Sequence, residues 1–164
     1  MRTIVLAAAA AAVLGLASAA QAAPAVVDVA IGPQLQAKAE KTYGVRDVRD
    51  LANDLRSDVE HALARTGAYD GARIELVLID AVPNRPTFKQ LGDKPGLSYE
   101  SFGLGGARIE GRIVTADGHE TPVAYRDYET DIRYARMSST WYDAQTGFDR
   151  FAHQLARGKA LASR

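Results

Sequence analysis

Val45, Val48, Ala52, Leu55, Val59 and Ala62 recur at alternating spacings of three and four, and Leu63 widens their stripe. Arg46, Asp50, Asp54, Arg56, Asp58 and Glu60 occupy the other positions. That spacing puts the apolar side chains on one side of a helix and predicts an amphipathic helix over 46–65, with Gly67 placed to end it. A second stripe of Trp141, Ala144, Phe148, Phe151 and Leu155 predicts another helix near the end of the chain. Ser139 is its expected N-cap and Gly158 its stop. Gly147 weakens its middle by about 1 kcal/mol relative to alanine, which the aromatic stripe offsets.

Between and before these helices the pattern shortens to that of strands. Val26 to Ile31 is a β-branched run closed by Gly32-Pro33, and it predicts a first strand. Gln34 to Gly44 is polar, and its periodicity leaves a helical turn and a loop both open. Ala72 to Val82 begins as an alternating segment and turns continuously apolar, as a strand covered on at least one face does. Pro83 and Pro86 end it, and Asn84 to Ser101 reads as a long irregular connection. Connections beyond roughly 12 to 15 residues are uncommon and often functional. Gly105 to Ala116 and Thr121 to about Arg133 then pair through Asp117-Gly118, which has hairpin-turn chemistry. The order is strand, helix, strand, strand, strand, helix. Two helices with one apolar stripe each must bury them. The expected fold is an α+β two-layer sandwich, a mostly antiparallel sheet of three to four strands with both helices on one face.

Residues 1–22 follow a different rule. Met1-Arg2 supplies a short positive end, Ile4 to Leu16 is uninterrupted Ala, Val, Leu, Ile and Gly, and Ala20-Gln21-Ala22 reads as an A-x-A cleavage site. This is the layout of a secretory signal peptide cut near Ala22, and it sets the expected location as the periplasm. The run is mostly alanine and too weakly apolar for a retained spanning helix, so no membrane anchor is expected after cleavage. Residues 23–164, 142 positions, then form a single domain, long enough to bury about 68% of the unfolded surface.

Charge and cysteine usage narrow the chemistry. Arg2 leaves with the leader, so 19 basic groups face 20 acidic ones, and a near-neutral domain has no electrostatic footprint for nucleic acid. The absence of cysteine excludes thiol catalysis, cysteine-ligated zinc and an acylated N-terminal cysteine. Gly103-Leu104-Gly105-Gly106 has Arg108 where a dinucleotide fingerprint needs glycine, and it precedes a strand rather than a helix. Glycines that let a strand bend or another backbone approach account for it. Ser98 lacks the second glycine of G-x-S-x-G. His61, His119 and His153 form no ligand-like sequence pair and read as surface or boundary residues. No catalytic residue and no cofactor is implied.

Two constellations remain. Asp127, Glu129 and Asp131 alternate, so on a strand their carboxylates share one face. Such a row is able to ligate a hard cation or hold a general acid. The competing reading is a solvated sheet face neutralised by Arg126, Arg133 and Arg136. The second constellation is the connection after Pro83, where Asn84, Arg85, Phe88, Tyr99 and Phe102 mix aromatic and hydrogen-bonding groups as contact surfaces do.

The leader, long helix, strand, proline-containing connection, hairpin and terminal helix together resemble uncharacterised exported proteins of Gram-negative bacteria. In element order they are loosely similar to the small α/β domains of envelope assembly and transporter-auxiliary lipoproteins, from whose members this chain departs by lacking the acylated cysteine. Such a likeness of element order does not carry function; the export signal, the absence of catalytic motifs and the polar-aromatic connection point to an exported, non-catalytic binding or assembly module for a cell-envelope protein or a small ligand. A metal-dependent enzyme or cation-binding protein using Asp127, Glu129 and Asp131 is the alternative, and a small-molecule carrier using the free sheet face is another. That free face also leaves a homo-oligomer open.

Overall fold

The computed structural model describes residues 25–133 and 139–159. The leader, Tyr134 and Arg136 lie outside them. Strand β1 (Val26–Ile31) leads into a short helix α1 (Pro33–Lys38) that continues as a π-helical turn, Ala39–Tyr43. Helix α2 (Val45–Thr66) and strand β2 (Arg73–Val82) follow. Then come a six-residue helix α3 (Phe88–Asp93), strands β3 (Gly106–Val114) and β4 (Glu120–Tyr128), and helix α4 (Tyr142–Ala156).

The four strands form one sheet in the order β1-β2-β3-β4. β1 pairs parallel to β2, while β2 with β3 and β3 with β4 are antiparallel. A parallel neighbour needs a long crossover, which α1, the π turn and α2 supply. The fold is the expected α+β arrangement. Val27, Ile74, Leu76, Leu78, Ile109, Ile113 and Val123 are buried with Val48, Leu51, Leu55 and Val59 of α2 and Phe148, Phe151 and Leu155 of α4. Both long helices thus bury their predicted stripes, apart from Val45 at the start of α2, which is exposed. Thr66 ends α2 where Gly67 takes the left-handed conformation (φ 64°), and its amide donates to the Leu63 carbonyl.

The other sheet face is charged. Arg73 pairs with Asp28 at 2.8 Å, and Arg112 bridges Glu75 at 2.8 Å and Glu120 at 3.3 Å. These exposed pairs add little stability and mark a solvated surface. The β2–β3 register shifts between Leu78 and Asp80. An extra residue there reverses the alternation, so Ala81 turns into the core while Asp80 sits opposite Arg108. Asp80 then takes Lys38 Nζ at 2.7 Å and the Tyr128 hydroxyl at 3.0 Å, tying α1 to β4 across the sheet end.

Several expected boundaries move. Gln34 to Gly44 is helical because Leu35 and Ala39 are buried. The connection after Pro83 contains α3. β4 stops at Tyr128 rather than running to Arg133, because its partner β3 begins at Gly106. Ser139 is not the N-cap of α4. Trp141 holds that position without a side-chain cap bond, and the Ser139 carbonyl accepts from Tyr142 N at 3.4 Å.

Candidate functional site

The segment between β2 and β3 is built from its two ends inward. Asn84 is 1% exposed. Its amide donates to the Thr140 carbonyl at 2.7 Å, and its own carbonyl accepts from Gly103 N at 2.7 Å. Its side chain donates to Asp143 Oδ2 and to the Gly103 carbonyl, and accepts from Asp143 N. The same Asp143 oxygen accepts from Gly105 N at 2.9 Å. A Cβ on Gly105 would lie 2.5 Å from Asn84 Oδ1, so the glycine there serves close approach. Asn84 was expected on the contact surface; it is instead the buried knot that closes the loop onto the start of α4.

From that knot the chain turns outward. Thr87 Oγ1 accepts from Gln90 N at 3.3 Å while Gln90 Oε1 accepts from Thr87 N at 3.0 Å, a reciprocal capping box that starts α3. Phe88 is the first residue inside it and is 76% exposed. Tyr99 is 62% exposed and Phe102 is 42% exposed. The Phe88 and Tyr99 rings meet edge to face, 6.2 Å between centroids at 76°, a favoured aromatic geometry. Arg85 Nη1 donates to the Tyr99 carbonyl at 2.6 Å, bracing the far arm of the loop from its base. Ser98 and Ser101 close that arm as a turn, with Ser101 N donating to the Ser98 carbonyl at 3.0 Å. Pro83, Arg85, Pro86, Lys94, Leu97 and Phe102 border a surface depression of about 260 Å³. Phe88 and Tyr99 thus meet on a segment braced by Arg85, and the exposed Phe102 borders the depression beside Arg85.

The acidic alternation is not gathered into a row. Asp127 lies on the helix-covered side, where it pairs with Arg150 of α4 at 2.9 Å and accepts from the Tyr125 hydroxyl at 3.2 Å. Glu129 and Asp131 lie past the end of β4. Glu129 Oε1 accepts from the backbone amides of Thr130 and Asp131. The Arg133 guanidinium and amide hold the Asp131 carboxyl below its ordinary range. Arg126 does not reach this row; its guanidinium lies 5.2 Å above the Tyr128 ring. Asp127 and Glu129 do border one cleft of about 380 Å³ with Tyr142, Thr146 and Arg150. Burial, then the neighbouring Asp127 carboxylate, pushes the Tyr125 phenol up to about 12. Among the described residues no three His, Cys, Asp or Glu side chains stand placed to hold a metal ion.

Two elements of the site escaped the sequence reading although signals existed. Thr87-Phe88-Lys89-Gln90 has the capping-box spacing. Asp143 in the first turn of a helix has the favoured sign for that position. No described helix is long and apolar enough to cross a membrane.

No family model matches the chain, and no curated protein matches it either. Among solved structures it is similar to a candidate lipoprotein from Caulobacter crescentus, at 17% identity and a TM-score of 0.33 over 82% of each chain. At that identity and overlap the likeness says nothing of this chain's activity.

Proposed function

We propose that this protein is an exported periplasmic binding module that holds a cell-envelope protein through the Phe88–Tyr99–Phe102 projection. One observation carries the reading: three aromatic rings are exposed on a segment whose base is braced by Asn84, Arg85 and a capping box. Exposed aromatic side chains lose little conformational entropy on binding and dominate contact energetics. A base that is already ordered lowers the cost of association further. The leader-like residues 1–22 supply the address, and the near-neutral charge suits a protein partner better than nucleic acid.

The test is a combined Phe88→Ala, Tyr99→Ala and Phe102→Ala variant expressed beside the parent. It should lose its cross-linked envelope partner in the cell and keep the parent's thermal transition, since all three rings lie outside the core. Undiminished cross-linking to the same partner would overturn the assignment. N-terminal sequencing of the periplasmic protein should begin at Ala23; a sequence beginning at Met1 would overturn the export reading.

A further inference from the structure

The depression beside Phe102 carries charge of one sign. Pro83, Pro86, Leu97 and Phe102 give it apolar walls, and its charged lining residues are Arg85 and Lys94. Among the described residues no aspartate or glutamate borders it. The acidic groups of the same segment are placed elsewhere: Asp93 pairs with Lys89 at 2.7 Å, and Glu100 lies outside the lining. Lys94 is exposed. Arg85 Nη1 donates to the Tyr99 carbonyl at 2.6 Å, a neutral acceptor that fixes the guanidinium without cancelling its charge. Arg85 precedes the N-cap of α3 and Lys94 is its C-cap, so the two cations approach the depression from the two ends of that helix.

Size and backbone chemistry narrow what fits. A volume of about 260 Å³ falls below the roughly 300 to 1,000 Å³ of pockets that enclose whole small molecules; it suits one inserted side chain. The lining backbone is already committed. Pro83 and Pro86 have no amide hydrogen. The amides of Asn84, Lys94, Leu97, Ser101 and Gly103 donate to carbonyls of the chain, and that of Gln90 donates to Thr87 Oγ1. Capture of a chain's terminal carboxylate uses a nest of unspent amides, so recognition here falls to the side-chain cations, which suit side-chain carboxylates.

We propose that this depression takes an acidic, extended segment of the envelope partner. One apolar side chain of that segment seats against Pro86, Leu97 and Phe102, and flanking aspartate or glutamate carboxylates meet Arg85 and Lys94. The inference rests on the binding role given to the aromatic projection and names the chemistry of what it holds. The rings supply contact area, while the cations select the partner and speed its encounter.

The test is fluorescence anisotropy of the purified protein with labelled nine-residue peptides in which a leucine is flanked by aspartates, by asparagines or by lysines. The aspartate peptide should bind saturably, and more weakly as salt rises. The asparagine and lysine peptides should bind at least about tenfold more weakly. Lys94→Glu should weaken the aspartate peptide by about tenfold, the scale of losing one surface attraction and gaining one repulsion. Lys159→Glu, beyond the far end of α4, should bind as the parent does. Equal affinity for the aspartate and asparagine peptides, or unchanged affinity in Lys94→Glu, would overturn the proposal. So would absence of saturable binding of the aspartate peptide, including the case where the protein sediments with phosphatidylglycerol vesicles instead. These failures concern the charge chemistry alone. The projection itself stands as long as the triple alanine variant loses its cross-linked partner, and falls if that variant keeps it.

Discussion

Asn84 and Asp143 clasp each other through two hydrogen bonds across 59 positions of sequence: Asn84 Nδ2 donates to Asp143 Oδ2 at 2.5 Å, and Asp143 N donates to Asn84 Oδ1 at 2.9 Å. The pair joins the end of β2 to the first turn of α4, and through Gly105 it reaches the start of β3. Everything between Asn84 and Gly105 is carried on this knot. A negative side chain at the start of a helix is also favoured by the helix dipole, so Asp143 serves both the helix and the loop.

Asn84→Ala should therefore cost about 2 to 3 kcal/mol in urea unfolding, the range for leaving buried polar groups without partners. Asn84→Asp should cost more, because it sets a second carboxylate against Asp143. Hydrogen exchange at the Gly105 amide should accelerate in both variants. An unfolding midpoint equal to the parent's would remove Asn84 from this role.

Asp58 makes a pH prediction whose sign follows from its raised folded-state pKa. A raised pKa means that the protonated form is favoured by folding. The stability this adds is present below the ordinary carboxyl range and is lost as pH rises through the folded value. At neutral pH the ionised Asp58 is part-buried and near the Asp149 and Asp54 carboxylates, so Asp58→Asn should be more stable than the parent at pH 7. The advantage should shrink toward pH 4, as a pH series of thermal unfolding would reveal. An unchanged or lower Tm at pH 7 would count against the clustered carboxylates.

Tyr125 sets the alkaline limit. Its hydroxyl donates to Asp127, and its pKa is displaced from 10.0 up to about 12. Its contribution is whole below the unfolded value and falls away between pH 10 and 12, as the unfolded phenol ionises while the folded one does not. Ultraviolet titration should show phenolates that form late, and Tyr125→Phe should remove one of them while leaving those of Tyr43 and Tyr128, which burial also pushes up. Ionisation of every tyrosine near pH 10 would contradict the placement.

The long helices were legible because α2 and α4 each carry a stripe that needs only the helical period to be seen. The π turn was harder: Leu35, Ala39 and Tyr43 are spaced by four, but the Gln, Lys and Glu around them hid the buried side. Asp127, Glu129 and Asp131 have the strand period, yet a strand lasts only as long as its partner. β3 begins at Gly106, and Glu129 N then donates to the Gly105 carbonyl at 3.0 Å, beyond the ladder. The burial of Asn84 depends on Asp143, 59 positions away, so it is not a local property. The aromatic projection was legible as composition. The Phe88–Tyr99 contact and the Arg85 brace required the fold.

The most direct test of the binding account is a photo-reactive amino acid placed at Phe88 or at Phe102 in the cell, with Glu110 on the open sheet face as the reference position. The account predicts a cross-link to one and the same envelope protein from positions 88 and 102, and none to it from 110. Cross-linking to that protein from 110 with none from 88 or 102 would contradict it.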